Sequence, residues 1–179
     1  TPRELSLSNH SRRDYVDILL NCIEHFPVKY PQYSDMIIRL ILTIQNAKPL
    51  KESYETLDIV NEYYNDCKQN NIEPIIVGID WAPRPIKNKE FKYFEDLLNK
   101  IKQAGINITI HFAEYYNREE QDLILNYRPD RLGHAINLKN PDYNILLNYP
   151  IPIEMCPTSN IMTKSISNYD EHLFKVFIK

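Results

Sequence analysis

The chain alternates between short apolar runs and amphipathic helical patterns, and this alternation limits the folds that it can adopt. Five apolar runs, bounded by turn residues, predict buried strands at 36–44, 74–79, 107–110, 130–135 and 152–155. Apolar residues at helical spacing predict helices at 11–26, 51–68, 88–104, 118–127, 141–148 and from 169 onward. Pro27 and Gly105 are predicted to end the first and third helices. Strands separated by helices form βαβ units, so the pattern predicts a parallel sheet covered by helices.

Two parallel-sheet architectures fit this alternation. An open doubly wound sheet would place a glycine-rich loop after an early strand, and the three glycines of the chain cannot supply one. An eight-stranded (β/α)8 barrel needs about 250 residues, whereas the chain has 179. The sequence therefore predicts one α/β domain over residues 1–179, a central fragment of a TIM barrel that runs from about strand 2 or 3 to strand 7. The domain is expected to be incomplete at both ends, because the last residues stop within an apolar helical pattern.

Composition excludes several classes of partner. The formal net charge is −3 and no long basic run is present, so neither a nucleic-acid groove nor an anionic-membrane surface is expected. No run of about 18 apolar residues is present, so no membrane span is predicted, and the first residues do not resemble a signal peptide. Three widely spaced cysteines, Cys22, Cys67 and Cys156, predict a reducing, cytoplasmic location without a disulfide framework or a cysteine-type zinc site.

Polar side chains gather at the ends of the predicted strands. The third strand is followed by His111 and, three residues later, by Glu114, while His134 lies near the end of the fourth. Consecutive strands lie roughly 5 Å apart, so these side chains can converge at the edge where α/β folds place chemistry. Neutral imidazole suits zinc, and a nearby carboxylate can move protons for a metal-activated water. The pattern predicts a hydrolytic site in which His111 binds the metal, His134 orients the water and Glu114 moves protons.

The same residues have a simpler interpretation. A His-x-x-Glu sequence at a strand end is common loop polarity, and His134 fits a capping or core histidine as well. The other histidines, His10, His25 and His172, lie on or beside predicted helices and are interpreted as structural or solvent-facing. Spacing alone therefore leaves both interpretations of the strand ends open.

Five motifs follow one another in a fixed order: Thr1-Pro-Arg, Gly78-Ile-Asp80, His111-x-x-Glu114, Arg131-Leu-Gly-His134-Ala and Glu154-x-Cys-Pro-Thr-Ser-Asn160. In this order they resemble the ends of strands two, four, five, six and seven of the adenosine deaminase family. A further segment, Asn168-Tyr-Asp-Glu-His172, resembles the N6-methyl-AMP deaminase branch of that family. The resemblance covers nearly the whole chain.

The resemblance implies a zinc-dependent hydrolytic deaminase on a (β/α)8 barrel of the metal-dependent hydrolase type. Its substrate would be a purine nucleoside or nucleotide of the adenosine or N6-methyl-AMP kind, and the complete protein would be a monomer. His111 would be a zinc ligand, Glu114 would protonate the purine ring and shuttle the proton of the water, and His134 would direct the water onto carbon six. Asp80 and Pro83 occupy positions that bind substrate in the family.

The chain departs from the family pattern in three places. The family's His-x-His pair would precede Thr1, and its zinc-binding aspartate would follow Lys179, so His111 alone remains of about three protein ligands. Pro83 stands where the family has a glycine whose backbone N–H donates to the purine. Because proline has no N–H, the substrate would lose a hydrogen bond worth on the order of 1–3 kcal/mol unless a shift of the loop supplies another donor.

Three functions therefore remain open. The first is a zinc-dependent purine deaminase, with this chain alone expected to be inactive. The second is a non-catalytic remnant that binds a purine or a partner without turnover, which Pro83 and the absent ligands favour. The third is a metal hydrolase of the same barrel type that acts on another amine or amide, although the Glu154-to-Asn160 motif favours the deaminases.

Overall fold

The computed structural model describes residues 11–86, 89–139, 142–148 and 151–177. The strands are β1 (Leu40–Gln45), β2 (Ile76–Ala82), β3 (Ile108–Phe112), β4 (Arg131–His134) and β5 (Ile153–Glu154). The helices are α1 (Arg12–Lys29), α2 (Leu50–Asn70), α3 (Phe91–Gln103), α4 (Arg118–Tyr127), α5 (Asp142–Asn148), α6 (Pro157–Met162) and α7 (Phe174–Phe177). Short 3₁₀ turns lie at Pro31–Tyr33 and Tyr169–Glu171. None of the helices within these ranges is both long and apolar enough to span a membrane.

The five strands form one parallel sheet whose spatial order is the order of the sequence, from β1 to β5. A doubly wound sheet reverses its direction at a switch point, and no reversal occurs among the described strands. Each strand instead adds to the same edge, as in the wall of a (β/α)8 barrel. The topology confirms the barrel prediction and removes the doubly wound alternative.

The two faces of the sheet differ in chemistry. The register aligns polar residues across four strands on one face: Thr43, Asp80, Thr109 and Arg131. The opposite face buries apolar residues, among them Leu42, Ile44, Ile79, Trp81, Ile108, Ile110 and Leu132. Helices cover the outer face of a (β/α)8 barrel, so the polar row belongs to its interior.

Helix α3 shows how the outer face is packed. Its buried residues recur at three- and four-residue intervals: Phe91, Phe94, Leu97, Leu98 and Ile101. Trp81 of β2 packs against Phe91 and Phe94, with ring centroids 5.6 Å and 5.9 Å apart. Removing a buried aromatic ring costs about 3–5 kcal/mol, so this contact holds β2, and the site at its end, in place.

Two glycines have conformational roles. A Cβ on Gly78 would lie 2.8 Å from the carbonyl oxygen of Asn107, so only glycine permits this approach of β2 to the start of β3. Gly105 has φ +73°, and it ends α3 as predicted. The N–H groups of Gly105 and Ile106 donate to the carbonyls of Lys102 and Ile101, which is the Schellman pattern.

The structure corrects several predicted boundaries. Pro27 does not end the first helix, and α1 continues to Lys29. A proline in the last turn removes only one backbone hydrogen bond, which the helix tolerates there. The first strand begins at Leu40 rather than residue 36, since pairing with β2 starts there, and Met36 and Ile37 are exposed. Helix α6 was not predicted. The segment from 169 onward is a 3₁₀ turn followed by α7 rather than one helix.

Some predictions fall outside the described residues. The Thr1-Pro-Arg motif and His10 precede residue 11, and the predicted starts of the helices at residues 88 and 141 lie in gaps between the described ranges. His25 is exposed and His172 is buried, which agrees with the interpretation of these histidines as solvent-facing or structural residues.

Candidate active site

Three neighbouring strands present the predicted residues at one edge of the sheet. Asp80 lies in β2, His111 lies in β3 with Glu114 in the loop that follows, and His134 is the last residue of β4. His111 is paired in register with Gly133, where a Cβ would contact the imidazole carbon Cδ2 at 3.6 Å. Residue 133 of β4 therefore lies directly beside the His111 ring.

The loops after β3 and β4 bend through an uncommon backbone conformation. Ala113, His134 and Ala135 have positive φ values of 52°, 64° and 52°, which non-glycine residues rarely adopt. Hydrogen bonds between the two loops maintain it: Ala135 N–H donates to the Phe112 carbonyl at 2.9 Å, and Asn137 N–H donates to the Ala113 carbonyl at 2.8 Å. Backbone strain of this kind gathers at functional sites, where surrounding contacts sustain it.

Glu114 lies between two imidazole rings. Its Oε1 is 2.9 Å from Nε2 of His134, and its Oε2 is 3.7 Å from Nδ1 of His111. The two rings are 4.9 Å apart between centroids. The structure thus brings together the three residues that the sequence pattern at the strand ends predicts to converge.

Asp80 completes the site on the side of β2. Its Oδ2 accepts a hydrogen bond from the Thr43 hydroxyl at 2.9 Å. Its Oδ1 is buried and has no hydrogen-bond partner among the described residues, and it lies 3.5 Å from Nε2 of His111, a contact longer than a normal hydrogen bond. The geometry therefore places Asp80 against His111.

The carboxylates and imidazoles alter one another's protonation. Burial disfavours the charged form of His111, but Asp80 and Glu114 outweigh it and raise the pKa of His111 to about 10. Burial also acts against a charged Glu114, yet His111 and His134 lower the pKa of Glu114 to about 2. Without a metal, His111 is therefore a cation and Glu114 an anion at neutral pH.

We expect the metal-free protein to lose stability as the pH rises from about 6.5 to about 10. The pKa of His111 is 6.5 when unfolded and about 10 when folded, so its contribution is complete below 6.5 and is lost through 10. The pKa of Glu114 is about 2 in the folded protein, below its ordinary value of 4.5. Its contribution to stability is therefore complete above pH 4.5 and is lost as the pH falls through 2. Urea unfolding with a chelator present, at a series of pH values, measures both slopes.

The variant His111→Gln is expected to flatten the alkaline slope, because glutamine does not titrate. His25→Gln is the control, since His25 is exposed on α1. An alkaline slope that His111→Gln leaves unchanged would assign the loss of stability to other groups.

The donor atoms fit a divalent metal. His111, Glu114 and His134 each offer one ligand atom, and these atoms lie within 4.8 Å of one another. The unpartnered Oδ1 of Asp80 faces His111 from the other side. Imidazole and carboxylate are ligands that zinc accepts. A metal ligand must be a neutral imidazole, so metal binding would displace a proton from His111.

The loop that contains Pro83 is held by Asn46, which the sequence analysis did not single out. Asn46 is fully buried directly after β1. Its Oδ1 accepts from the Arg84 N–H at 2.8 Å, and its Nδ2 donates to the carbonyls of Arg84 at 2.8 Å and Lys89 at 2.9 Å. Pro83 has no N–H, and the N–H of the next residue, Arg84, already donates to Asn46. A shift of one residue therefore does not provide a free donor at Arg84.

A second missed residue, Glu120, supports the loop of Glu114. Glu120 is buried in α4 and accepts hydrogen bonds from the Phe91 N–H at 3.1 Å and from the Tyr115 hydroxyl at 2.5 Å. Burial raises the pKa of this carboxyl. In the sequence, Glu120 is an ordinary acidic residue in a first helical turn, and only the fold shows that it ties the Glu114–Tyr115 segment to the start of α3.

Comparison with known proteins agrees with this geometry. Residues 34–179 match the family model described as adenosine deaminase. An adenosine deaminase-like protein of Drosophila pseudoobscura pseudoobscura is 32% identical over 167 residues, covering 93% of this chain and 46% of that protein. The N6-mAMP deaminase of Arabidopsis thaliana is 29% identical over 192 residues, covering 97% of this chain and 52% of that protein.

A solved structure shows the same relationship. The crystal structure of Arabidopsis ADAL complexed with IMP superposes with a TM-score of 0.76 at 28% identity, covering 98% of this chain and 50% of that one. The chain spans about half the length of the curated relatives that it matches. Since the family model matches most of its residues, the chain belongs to the adenosine deaminase family.

Proposed function

We propose that the whole protein catalyses the hydrolytic deamination of a 6-amino- or 6-methylamino-purine nucleoside or monophosphate, with zinc as cofactor. The observation that carries the proposal is the position of Glu114 between His111 and His134 at the carboxyl edge of the sheet. A water added to carbon six and an amine that leaves both need a proton carrier at that point. A carboxylate held between two imidazoles suits this role.

Each residue has a part in the proposal. His111 would be one of the metal ligands, and Asp80 would keep its ring in place. Glu114 would take the proton of the attacking water and deliver it to the purine ring, while His134 would orient the water toward carbon six. When bound, the metal supplies Lewis acidity, which makes a water nucleophilic at neutral pH.

The relatives favour a nucleotide substrate. The Arabidopsis relative is named an N6-mAMP deaminase, and the related crystal structure contains IMP. IMP carries oxygen at carbon six, which is the group that hydrolytic deamination leaves there. A purine monophosphate with an amine on carbon six is therefore the first substrate to test.

The test uses a chimera in which this chain replaces the matching region of the Arabidopsis N6-mAMP deaminase. The purified chimera is incubated with adenosine, AMP or N6-methyl-AMP. The formation of inosine or IMP is measured, and so is the zinc content of the protein. Release of amine with stoichiometric zinc is the expected result. A folded, zinc-loaded chimera that converts none of the three substrates would overturn the proposal, and turnover of another amine or amide would favour a different hydrolase.

Substrate affinity depends on the loop of Pro83. We expect Pro83→Ala in the chimera to lower the KM for the purine about threefold to tenfold, because alanine restores a backbone N–H that can donate to the ring. Pro85→Ala is the matched control, since Pro85 is exposed two residues later. Equal KM values for the two variants would mean that residue 83 does not contact the purine.

A second candidate function is purine binding without turnover. The observation that speaks against turnover is the engagement of the Arg84 N–H by Asn46 beside a proline, which removes two backbone donors that could hold the purine ring in place for reaction. Calorimetric binding of IMP by a chimera that shows no deamination would decide for this candidate.

We also propose that residues 1–179 belong to one adenosine deaminase-like domain, and that the whole protein is a cytoplasmic monomer without a nucleic-acid partner. The three cysteines support a reducing compartment, since all of them are free thiols. The net charge of −3 supports the absence of a nucleic-acid partner.

A further inference from the structure

A row of buried side chains connects the candidate active site with the segment before α7. Glu114 Oε1 is 2.9 Å from His134 Nε2, and His134 Nδ1 is 3.3 Å from Asn160 Nδ2. Asn160 Oδ1 is 3.1 Å from His172 Nε2, and the Phe174 N–H donates to His172 Nδ1 at 3.1 Å. His134, Asn160 and His172 are 6%, 1% and 3% exposed, so their hydrogen bonds are made with one another rather than with bulk water.

The backbone of Phe174 fixes the direction of this row. Because the Phe174 N–H donates to Nδ1, a neutral His172 carries its ring hydrogen on Nε2, which donates to the side-chain oxygen Oδ1 of Asn160. The amide NH₂ of Asn160 then faces Nδ1 of His134, which must accept. Burial lowers the pKa of His172 and so favours its neutral form.

The opposite arrangement fails on the same chemistry. If the Asn160 amide were reversed, its NH₂ would point at the Nε2–H of His172 and two donors would face each other. His172 cannot move its hydrogen to Nδ1, because the Phe174 N–H occupies that side. Two donors that face each other in a buried site leave both hydrogen bonds unmade, and no water is available to replace them. One orientation of the amide therefore satisfies every group.

We propose that His172 is a positioning residue which, through Asn160, holds His134 as the tautomer with hydrogen on Nε2. The ring hydrogen of His134 then points toward Glu114, and Nδ1 is committed to Asn160. His134 thus faces the site as a hydrogen-bond donor, which suits a residue that orients a water or a carboxylate. The inference rests on the proposed function only in giving His134 a part in the reaction, since the tautomer itself follows from the hydrogen bonds.

The experiment is ¹⁵N NMR of the histidine rings. The 179-residue chain, labelled with ¹⁵N-histidine, is measured in neutral buffer with a chelator by long-range ¹H–¹⁵N correlation, and His134→Gln identifies the signals of His134. The expected wild-type spectrum has Nε2 of His134 as a hydrogen-bearing nitrogen and Nδ1 as a bare one. A spectrum with hydrogen on Nδ1 would overturn the proposal.

Two variants separate hydrogen bonding from packing. Asn160→Asp replaces the amide NH₂ by an oxygen of the same size, so hydrogen is expected to appear on Nδ1 of His134. His172→Phe keeps a ring but removes the donor that fixes the Asn160 amide. The amide can then turn its oxygen toward His134, so hydrogen is expected on Nδ1 of His134 in part of the molecules. An unchanged His134 spectrum in both variants, with Trp81 fluorescence showing a native fold, would overturn the role of His172.

The outcomes remain separate from those of the deaminase assay. The spectra are recorded without metal or substrate, so a chimera that fails to turn over purines leaves the tautomer result intact. An Asn160→Asp chain that does not fold still leaves two decisive measurements, the wild-type spectrum and that of His172→Phe.

Discussion

Replacing Glu114 by glutamine is expected to lower kcat/KM for purine deamination by about 10²- to 10⁴-fold, the range that a positioned acid–base group supplies. Glutamine keeps the length of the side chain and can still contact His134, but it can neither take the proton of the water nor deliver one to the ring. The chimera with Arabidopsis N6-mAMP deaminase provides the assay.

The control for this loss is Glu119→Gln, which removes the same charge from an exposed residue in the first turn of α4. Its rate should stay within about twofold of wild type, because an exposed charge makes a small contribution. Zinc content is measured in both variants, so that a lost metal is not mistaken for a lost proton carrier. A Glu114→Gln variant that keeps its zinc and a rate near wild type would remove Glu114 from the proposed proton transfer.

The convergence of His111, Glu114 and His134 could be predicted because it depends on local pattern alone. Each residue closely follows an apolar run, and parallel strands bring their carboxyl ends to one edge whatever the details of packing. The strand order needed no long-range information either, since the shortage of glycine had already disfavoured a doubly wound sheet.

The supporting residues could not be predicted because their partners are distant in the sequence. Asn46 and Arg84 are separated by 38 positions, and Asn160 and His172 by 12, and neither pair shows a periodic signal. Glu120 looks like a surface residue of an amphipathic helix until the fold buries it. Element boundaries depend on the fold as well. The start of β1 at Leu40 is set by its pairing with β2, and the end of α1 beyond Pro27 is set by its last helical turn.

The second large effect is expected at Asn46, where replacement by leucine should lower the free energy of unfolding by about 2–4 kcal/mol. Leucine fills a similar volume, but it leaves the Arg84 N–H and the Lys89 carbonyl without their partners. The Arg84 carbonyl also loses the Asn46 amide, although it keeps the hydrogen bond from the Ile86 N–H. Each buried polar group left unpaired costs about 1–3 kcal/mol, and exposure of part of this loop to water reduces the sum. Urea unfolding followed by Trp81 fluorescence measures the change.

Asn107→Ala is the matched control, since Asn107 is exposed and its side chain donates a single hydrogen bond, to the Val77 carbonyl. It should cost less than about 1 kcal/mol. Asn46→Asp keeps the shape and the acceptor for Arg84 N–H but sets a carboxylate oxygen against two carbonyls, so it should destabilise at least as much as leucine. If leucine cost no more than Asn107→Ala, packing rather than hydrogen bonding would hold the loop of Pro83, and the Arg84 N–H would be free to serve a purine.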